Sequence, residues 1–138
     1  MIKKILLPVD GSSFSERAGE YAVFLAKNLG AQMVVMHIIK VGATEKLELE
    51  NIDSKKLKQA EICFSPIKNK AEKESVEVET KILVSRIIAD TIIEEAKDGD
   101  YELIVIGSRG LSGLKKLVLG SVTEDVLKKS TVPVLVVI

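Results

Sequence analysis

The sequence predicts an α/β fold, an open five-stranded parallel sheet with helices on both faces. Three observations carry this. Short unbroken apolar runs, as in strands buried on both faces, recur along the chain. Between them lie stretches whose apolar residues return every three or four positions, as on an amphipathic helix. Glycine-rich breaks follow two of the apolar runs, Asp10-Gly11-Ser12 and Gly107-Ser108-Arg109-Gly110. Strand–helix–strand alternation demands crossover connections, and these make the strands parallel.

Each element has its own justification. Ile5 to Val9 reads as the first strand. Ser13 stands three residues before Glu16, a capping-box spacing that opens a helix. In that helix Ala18, Tyr21, Ala22, Leu25 and Leu29 form one apolar face, with Tyr21 a core candidate, and Gly30 ends it. Met33 to Ile39 is the second strand. From Thr44 to Ser75 the chain is rich in lysine and glutamate, with Ala60, Phe64, Ile67 and Ala71 at helical spacing. Pro66 is expected to interrupt this helix, or to begin a second piece capped by Ser65. Val76 to Val84 alternates apolar and polar as a half-exposed third strand. Ile87 to Ala96 is a helix with Ile88, Ile92 and Ala96 on one side, ended by Asp98-Gly99-Asp100. Leu103 to Ile106 is the fourth strand, and Gly107 to Gly113 a loop. A mostly helical stretch runs to Lys129, and Val134 to Ile138 is the fifth strand.

Length and composition set the class. A chain of 138 residues, 46% of them apolar, suits one domain spanning 1–138 with a real core. Twenty basic and twenty acidic side chains cancel, which removes the electrostatic footprint of a nucleic-acid binder. Cys63 has no partner for an internal disulfide, which points to a reducing compartment or to indifference about redox state, and the setting expected is cytoplasmic. No apolar run approaches the roughly 18 residues of a membrane span. The opening Met1 to Pro8 is too brief an apolar run for a signal peptide.

In an open parallel sheet, ligands collect beyond the carboxyl ends of the strands, where the strand order reverses. The breaks after the first and fourth strands lie at such ends. Ser121 and Glu124 repeat the capping-box spacing, so a helix beginning at Ser121 would offer its first N–H groups to an anion. Gly107, Gly110 and Gly120 let backbone approach a bulky ligand. The combination suggests a phosphate cradle, with Asp10 placed to accept hydrogen bonds from ribose hydroxyls. Taken singly, each feature also has a structural reading: a glycine turn, an aspartate turn, a serine cap. His37 stands alone on a buried strand, with no second metal ligand near it in sequence. Cys63 reads as semi-buried packing. The chain lacks a P-loop, a dinucleotide G-x-G-x-x-G after its first strand and a G-x-S-x-G nucleophile elbow.

The run Gly107-Ser108-Arg109-Gly110, nine further residues, then Gly120-Ser121 resembles the G-x2-G-x9-G-[ST] nucleotide motif of the universal stress protein family. The opening Ile5 to Ser12, the stretch Leu103 to Gly110 and the ending Thr131 to Val137 also resemble that family. The resemblance implies strand order 3-2-1-4-5, a Rossmann-like arrangement, and the ATP-binding subset of the family. It implies that Asp10 contacts the ribose and that Val9 and Ile38 adjoin the adenine. Ile106 and Gly107 would line base and ribose, while Gly110, Gly120, Ser121 and Val122 hold phosphates. Arg109 stands where members vary. The cofactor implied is ATP, ADP or AMP, with Mg²⁺ or Mn²⁺ bound through the phosphates. Val84-Ser85-Arg86 departs from the glycine and proline often found there. In that strand order the apolar Val134 to Ile138 lies at an edge, which predicts a homodimer through the last strands. The function expected is a nucleotide-dependent stress-response or signalling module. The rival is a slow ATPase or nucleotidyl transferase needing a partner, since no attacking base is evident in the sequence.

Overall fold

In the computed structural model, which describes residues 1–110 and 119–138, the elements follow in the order β1 (Lys4–Pro8), α1 (Ser13–Leu29), β2 (Gln32–Lys40), α2 (Ser54–Lys73), β3 (Val78–Ser85), α3 (Ile88–Asp98), β4 (Leu103–Gly107), α4 (Ser121–Lys129) and β5 (Val134–Val137). A short 3-10 turn, Leu49–Asn51, precedes α2. All strand pairs are parallel and the sheet order is β3-β2-β1-β4-β5. The expected loop through Leu111, Ser112 and Gly113, and the start of the helical stretch before Leu119, lie outside the described residues.

The central strand explains why the sheet is covered on both sides. Ile5, Leu6 and Leu7 are all wholly buried, so successive side chains serve opposite faces. Ile5 and Leu7 join a core with α1 and α2, in which Phe64 is the largest fully buried side chain. Leu6 joins the other core, with α3, α4 and Tyr101.

α1 lies close to the sheet because its buried stripe is made of small residues: Ser15, Ala18, Gly19, Ala22, Val23 and Ala26. Tyr21, expected in the core, is instead 45% exposed, and Leu29 is exposed as well. The apolar spacing was satisfied by two overlapping stripes, and the narrower side chains fit against the strands. The cap is Ser12 rather than Ser13; its side chain accepts from the Ser15 N–H. Gly30 closes the helix at φ 64°, the left-handed conformation glycine adopts freely.

Pro66 does not break α2, which is continuous from Ser54 to Lys73. Ala60, Cys63, Phe64, Ile67 and Ala71 stay in phase across it and are all buried. Pro66 itself faces outward, so the Ile62 carbonyl it leaves unbonded is on the watered side. Ser65 does not cap a second piece; its hydroxyl donates to the Glu61 carbonyl. The third strand begins two residues later than expected, after a positive φ at Ser75. The last strand stops at Val137, with Ile138 exposed beyond it.

Candidate functional site

The backbone hydrogen bonds of β1 explain where the sheet opens. The Val9 N–H donates to the Met36 carbonyl of β2, and the Lys4 carbonyl accepts from Glu102 at the start of β4. Backbone direction alternates along a strand, so Lys4, Leu6 and Pro8 present their backbones to β4. Pro8 has no N–H to give. The β1–β4 register accordingly covers only Ile5↔Leu103 and Leu6↔Ile104. The strands part beyond that point, at the place where the chain order reverses.

The Asp10 turn is built beside this gap. Asp10 Oδ1 accepts from the Ser12 N–H at 3.0 Å, and Gly11 takes φ 87°, which its lack of a Cβ permits. The Ser12 cap then starts α1. Across the gap, β4 runs into Gly107-Ser108-Arg109-Gly110, and Gly120 leads into α4. Thr123, buried in the first turn of α4, donates its hydroxyl to the Gly107 carbonyl at 2.8 Å and ties the helix to the strand end.

These loops enclose a cleft of about 410 Å³, within the usual range for small-molecule sites. Every sequence-predicted residue lines it: Val9, Asp10, Ile38, Ile106, Gly107, Arg109, Gly110, Gly120, Ser121 and Val122. One side is an apolar slot, in which Met36, Ile88 and Ile92 join Val9, Ile38 and Ile106. The other is polar and formed by the glycine loop and the start of α4. Gly120 caps α4 without a side-chain bond, and the first intrahelical acceptor, its carbonyl, bonds to Glu124. The N–H groups of Ser121, Val122 and Thr123 therefore have no partner within the helix and carry its positive dipole end. Helix α4 does begin at Ser121, as its spacing predicts, but the capping position belongs to Gly120.

The glycines have a reason the sequence did not reveal. A Cβ on Gly107 would lie 2.8 Å from the Phe14 backbone, and one on Gly110 would strike the Asp10 carboxylate. A Cβ on Gly120 would meet the Arg109 Cα at 3.2 Å. Their bareness lets the two strand-end loops and the start of α1 close on one another. Arg109 places its guanidinium over the Phe14 ring, 4.7 Å from the centroid.

His37 also reaches the cleft. Its Nδ1 lies 2.9 Å from the Val9 carbonyl, so that nitrogen carries the proton, and its ring stands edge-on to Phe64. Cys63 is more deeply buried than expected and lies under the Asp10–Gly11 turn. Burial, and then the nearby Asp10 carboxylate, push its thiol above the usual range, which makes it a poor nucleophile. Ser108 is buried, and its hydroxyl has no hydrogen-bond partner among the described residues. Among the described residues there is no group of three or more His, Cys, Asp or Glu side chains fit to hold a metal.

Sequence reasoning missed Pro8, Ser15, Met36, His37, Ile88, Ile92 and Thr123 as lining residues. Only Pro8 carried a readable signal, since proline inside a central strand implies a missing ladder bond. A second concavity, about 470 Å³, lies between β2 and β3 at their amino ends and carries Glu77 and Glu79. It is at the wrong end of the sheet for the usual ligand crevice and has no cation among its lining residues.

The profile of the Universal stress protein family matches residues 1–137. This chain belongs to that family. It is 36% identical to universal stress protein YxiE of Bacillus subtilis, with 99% of both chains covered. Universal stress protein MJ0577 of Methanocaldococcus jannaschii is 32% identical, and its solved structure superposes with a TM-score of 0.82 over 99% of this chain and 96% of that one. The universal stress protein of Archaeoglobus fulgidus, solved in complex with dAMP, is 27% identical, with a TM-score of 0.77 and full coverage of both chains. Within the family fold, the gap beside Pro8 is the topological switch point of the doubly wound sheet.

Proposed function

We propose that this universal stress protein binds ATP, ADP or AMP in the β1–β4 cleft and works as a nucleotide-responsive signalling module. The observation that carries the reading is the polarity of the cleft. An apolar slot suited to a purine runs into a polar lip made of the Asp10 carboxylate, the Arg109 guanidinium and the N-terminus of α4. The Archaeoglobus fulgidus relative solved with dAMP supports the choice of adenine nucleotide. Val9 and Ile38 flank the base, Ile106 and Gly107 line base and ribose, and Asp10 accepts from ribose hydroxyls. Gly110, Gly120, Ser121 and Val122 receive the phosphates through backbone N–H groups. Asp10 is the single carboxylate among the described lining residues, so Mg²⁺ or Mn²⁺ arrives with the phosphates and takes its ligands chiefly from them and from water.

Titration calorimetry with ATP, ADP and AMP tests this directly. Saturable binding of at least one is expected, and no heat of binding from any of them overturns the proposal. The cytoplasm, where adenine nucleotides are abundant and Cys63 stays reduced, is the setting we assign. No helix among the described residues is long and apolar enough to cross a membrane.

We also propose a homodimer through β5. Among the described residues that strand pairs with β4 alone. The Ile104 N–H donates to the Pro133 carbonyl and the Ser108 N–H to that of Val137, so odd-numbered residues face β4 and Val134 and Val136 point their backbones outward. Antiparallel pairing of two such edges satisfies these groups about a two-fold axis.

A further inference from the structure

Arg109 is the sole lysine or arginine among the described residues that line the cleft. Its guanidinium sits over the ring of a residue outside the cleft lining, Phe14. Phe14 belongs to the first turn of α1, and its backbone packs against Gly107 so closely that no Cβ fits between them. The base of the Phe14 side chain is thereby held against the end of the strand from which the Arg109 loop departs. An arginine at a loop edge loses much rotamer freedom when it holds one geometry. An aromatic platform fixed to the same strand end reduces that loss and leaves the donor fork in place.

We propose that Phe14 and Arg109 together select for the length of the ligand's phosphate tail. Phe14 is the positioning residue and Arg109 the group that meets the anion. The inference rests on the adenine-nucleotide reading above and adds its preference: ATP over AMP, and AMP over adenosine. The apolar slot and Asp10 address parts that all three ligands share, so they do not distinguish the three. The N–H groups at the start of α4, which have no partner within the helix, are neutral donors and supply partial charge only. A full charge with a bidentate fork responds most strongly to added phosphate charge.

The test measures adenosine, AMP and ATP affinities by calorimetry on the full chain and on variants of Arg109 and Phe14, singly and combined. Arg109→Gln is expected to weaken ATP about 10- to 100-fold, AMP less, and adenosine not at all. Arg109→Lys restores part of the ATP affinity because it keeps the charge and loses the fork. Phe14→Leu weakens ATP about 2- to 5-fold and has no further effect in the Arg109→Gln background, as a residue acting through Arg109 must. Phe14→Tyr, which keeps the ring, behaves as wild type, and Phe14→Met, which removes the ring with a flexible apolar side chain, stands in should Phe14→Leu fail to fold. Equal weakening of ATP and adenosine by Arg109→Gln, or unchanged ATP binding, overturns the selectivity. Full additivity of the Phe14→Leu and Arg109→Gln effects overturns the positioning role. Failure of the wild-type chain to bind any of the three ligands instead overturns the nucleotide reading itself.

Discussion

Gly107 joins three parts of the molecule at one atom's width: the end of β4, the start of α1 and the cleft between them. Because the neighbour at 2.8 Å is backbone, Gly107→Ala cannot be absorbed by a rotamer change. Overpacking of this kind costs about 1–3 kcal/mol, so urea unfolding should show a lower midpoint with an unchanged slope. Asp10 acts at the same junction, where its carboxylate shapes the turn and faces the cleft. Hydrogen bonds to a charged group contribute about 1.5–3 kcal/mol, so Asp10→Ala should weaken ATP binding about 10- to 100-fold. Calorimetry that returned wild-type affinity would remove Asp10 from the proposed site. Cys63, beneath that turn, ties the site to pH. Its thiol is held above the usual value by burial and by Asp10. A raised pKa means the protonated form is favoured in the fold, so this contribution is complete below the unfolded value and lost as pH rises past it. Stability should begin to fall above about pH 8.5, and Cys63→Ala should delay the onset in pH-dependent thermal melts.

Among the elements, α2 holds its shape through a proline because tertiary burial outweighs one lost backbone bond. Phe64 and Ile67 flank Pro66 and are both buried, and this packing compensates for a penalty of about 3 kcal/mol. Replacing an exposed interior proline returns part of that, so Pro66→Ala should stabilise the fold by about 1–3 kcal/mol in denaturant titration. A mutant no more stable than the parent would show that the helix was already bent to suit the proline. The junction of β3, α3 and β4 is governed by a polar network. Glu95 accepts from Lys81 at 2.9 Å and from the Tyr101 hydroxyl at 3.1 Å, and Lys4 lies over the Tyr101 ring. Burial, and then Glu95, drive the Tyr101 phenol well above its usual value, and the hydrogen bond to Glu95 raises Lys81. Both shifts are upward, so both contributions are present below about pH 10 and lost as pH climbs beyond it. Tyr101→Phe should make that alkaline loss shallower, at a cost of about 0.5–1.5 kcal/mol near neutrality for the missing bond.

At the scale of the whole molecule, the sheet has two edges, β3 and β5, and they differ. β3 carries Glu79 and Lys81, charges that discourage strand pairing, whereas β5 is Val134-Leu135-Val136-Val137. The outward backbone of Val136 gives a clean test. Val136→Pro removes a donor that β4 does not use, so the chain should keep its far-ultraviolet dichroism and sediment as a monomer where the parent sediments as a dimer. A parent that is monomeric at micromolar concentration would end the dimer proposal.

The sequence by itself determined the five strands, the helical character of the stretches between them and which two strand ends carry the unusual residues. These are local properties: the period of apolar residues, glycine at a break, and the spacing of the motif from Gly107 to Ser121. Tertiary structure alone decided which of two apolar stripes α1 buries, that Pro66 is tolerated, and that Ile88, Ile92 and His37 share the cleft with Asp10. It also decided that Gly107 and Gly110 are bare for the sake of Phe14 and Asp10. Contacts of that kind join residues about a hundred positions apart. No local pattern encodes the width of the gap between them, which is set only when the sheet brings the strand ends together.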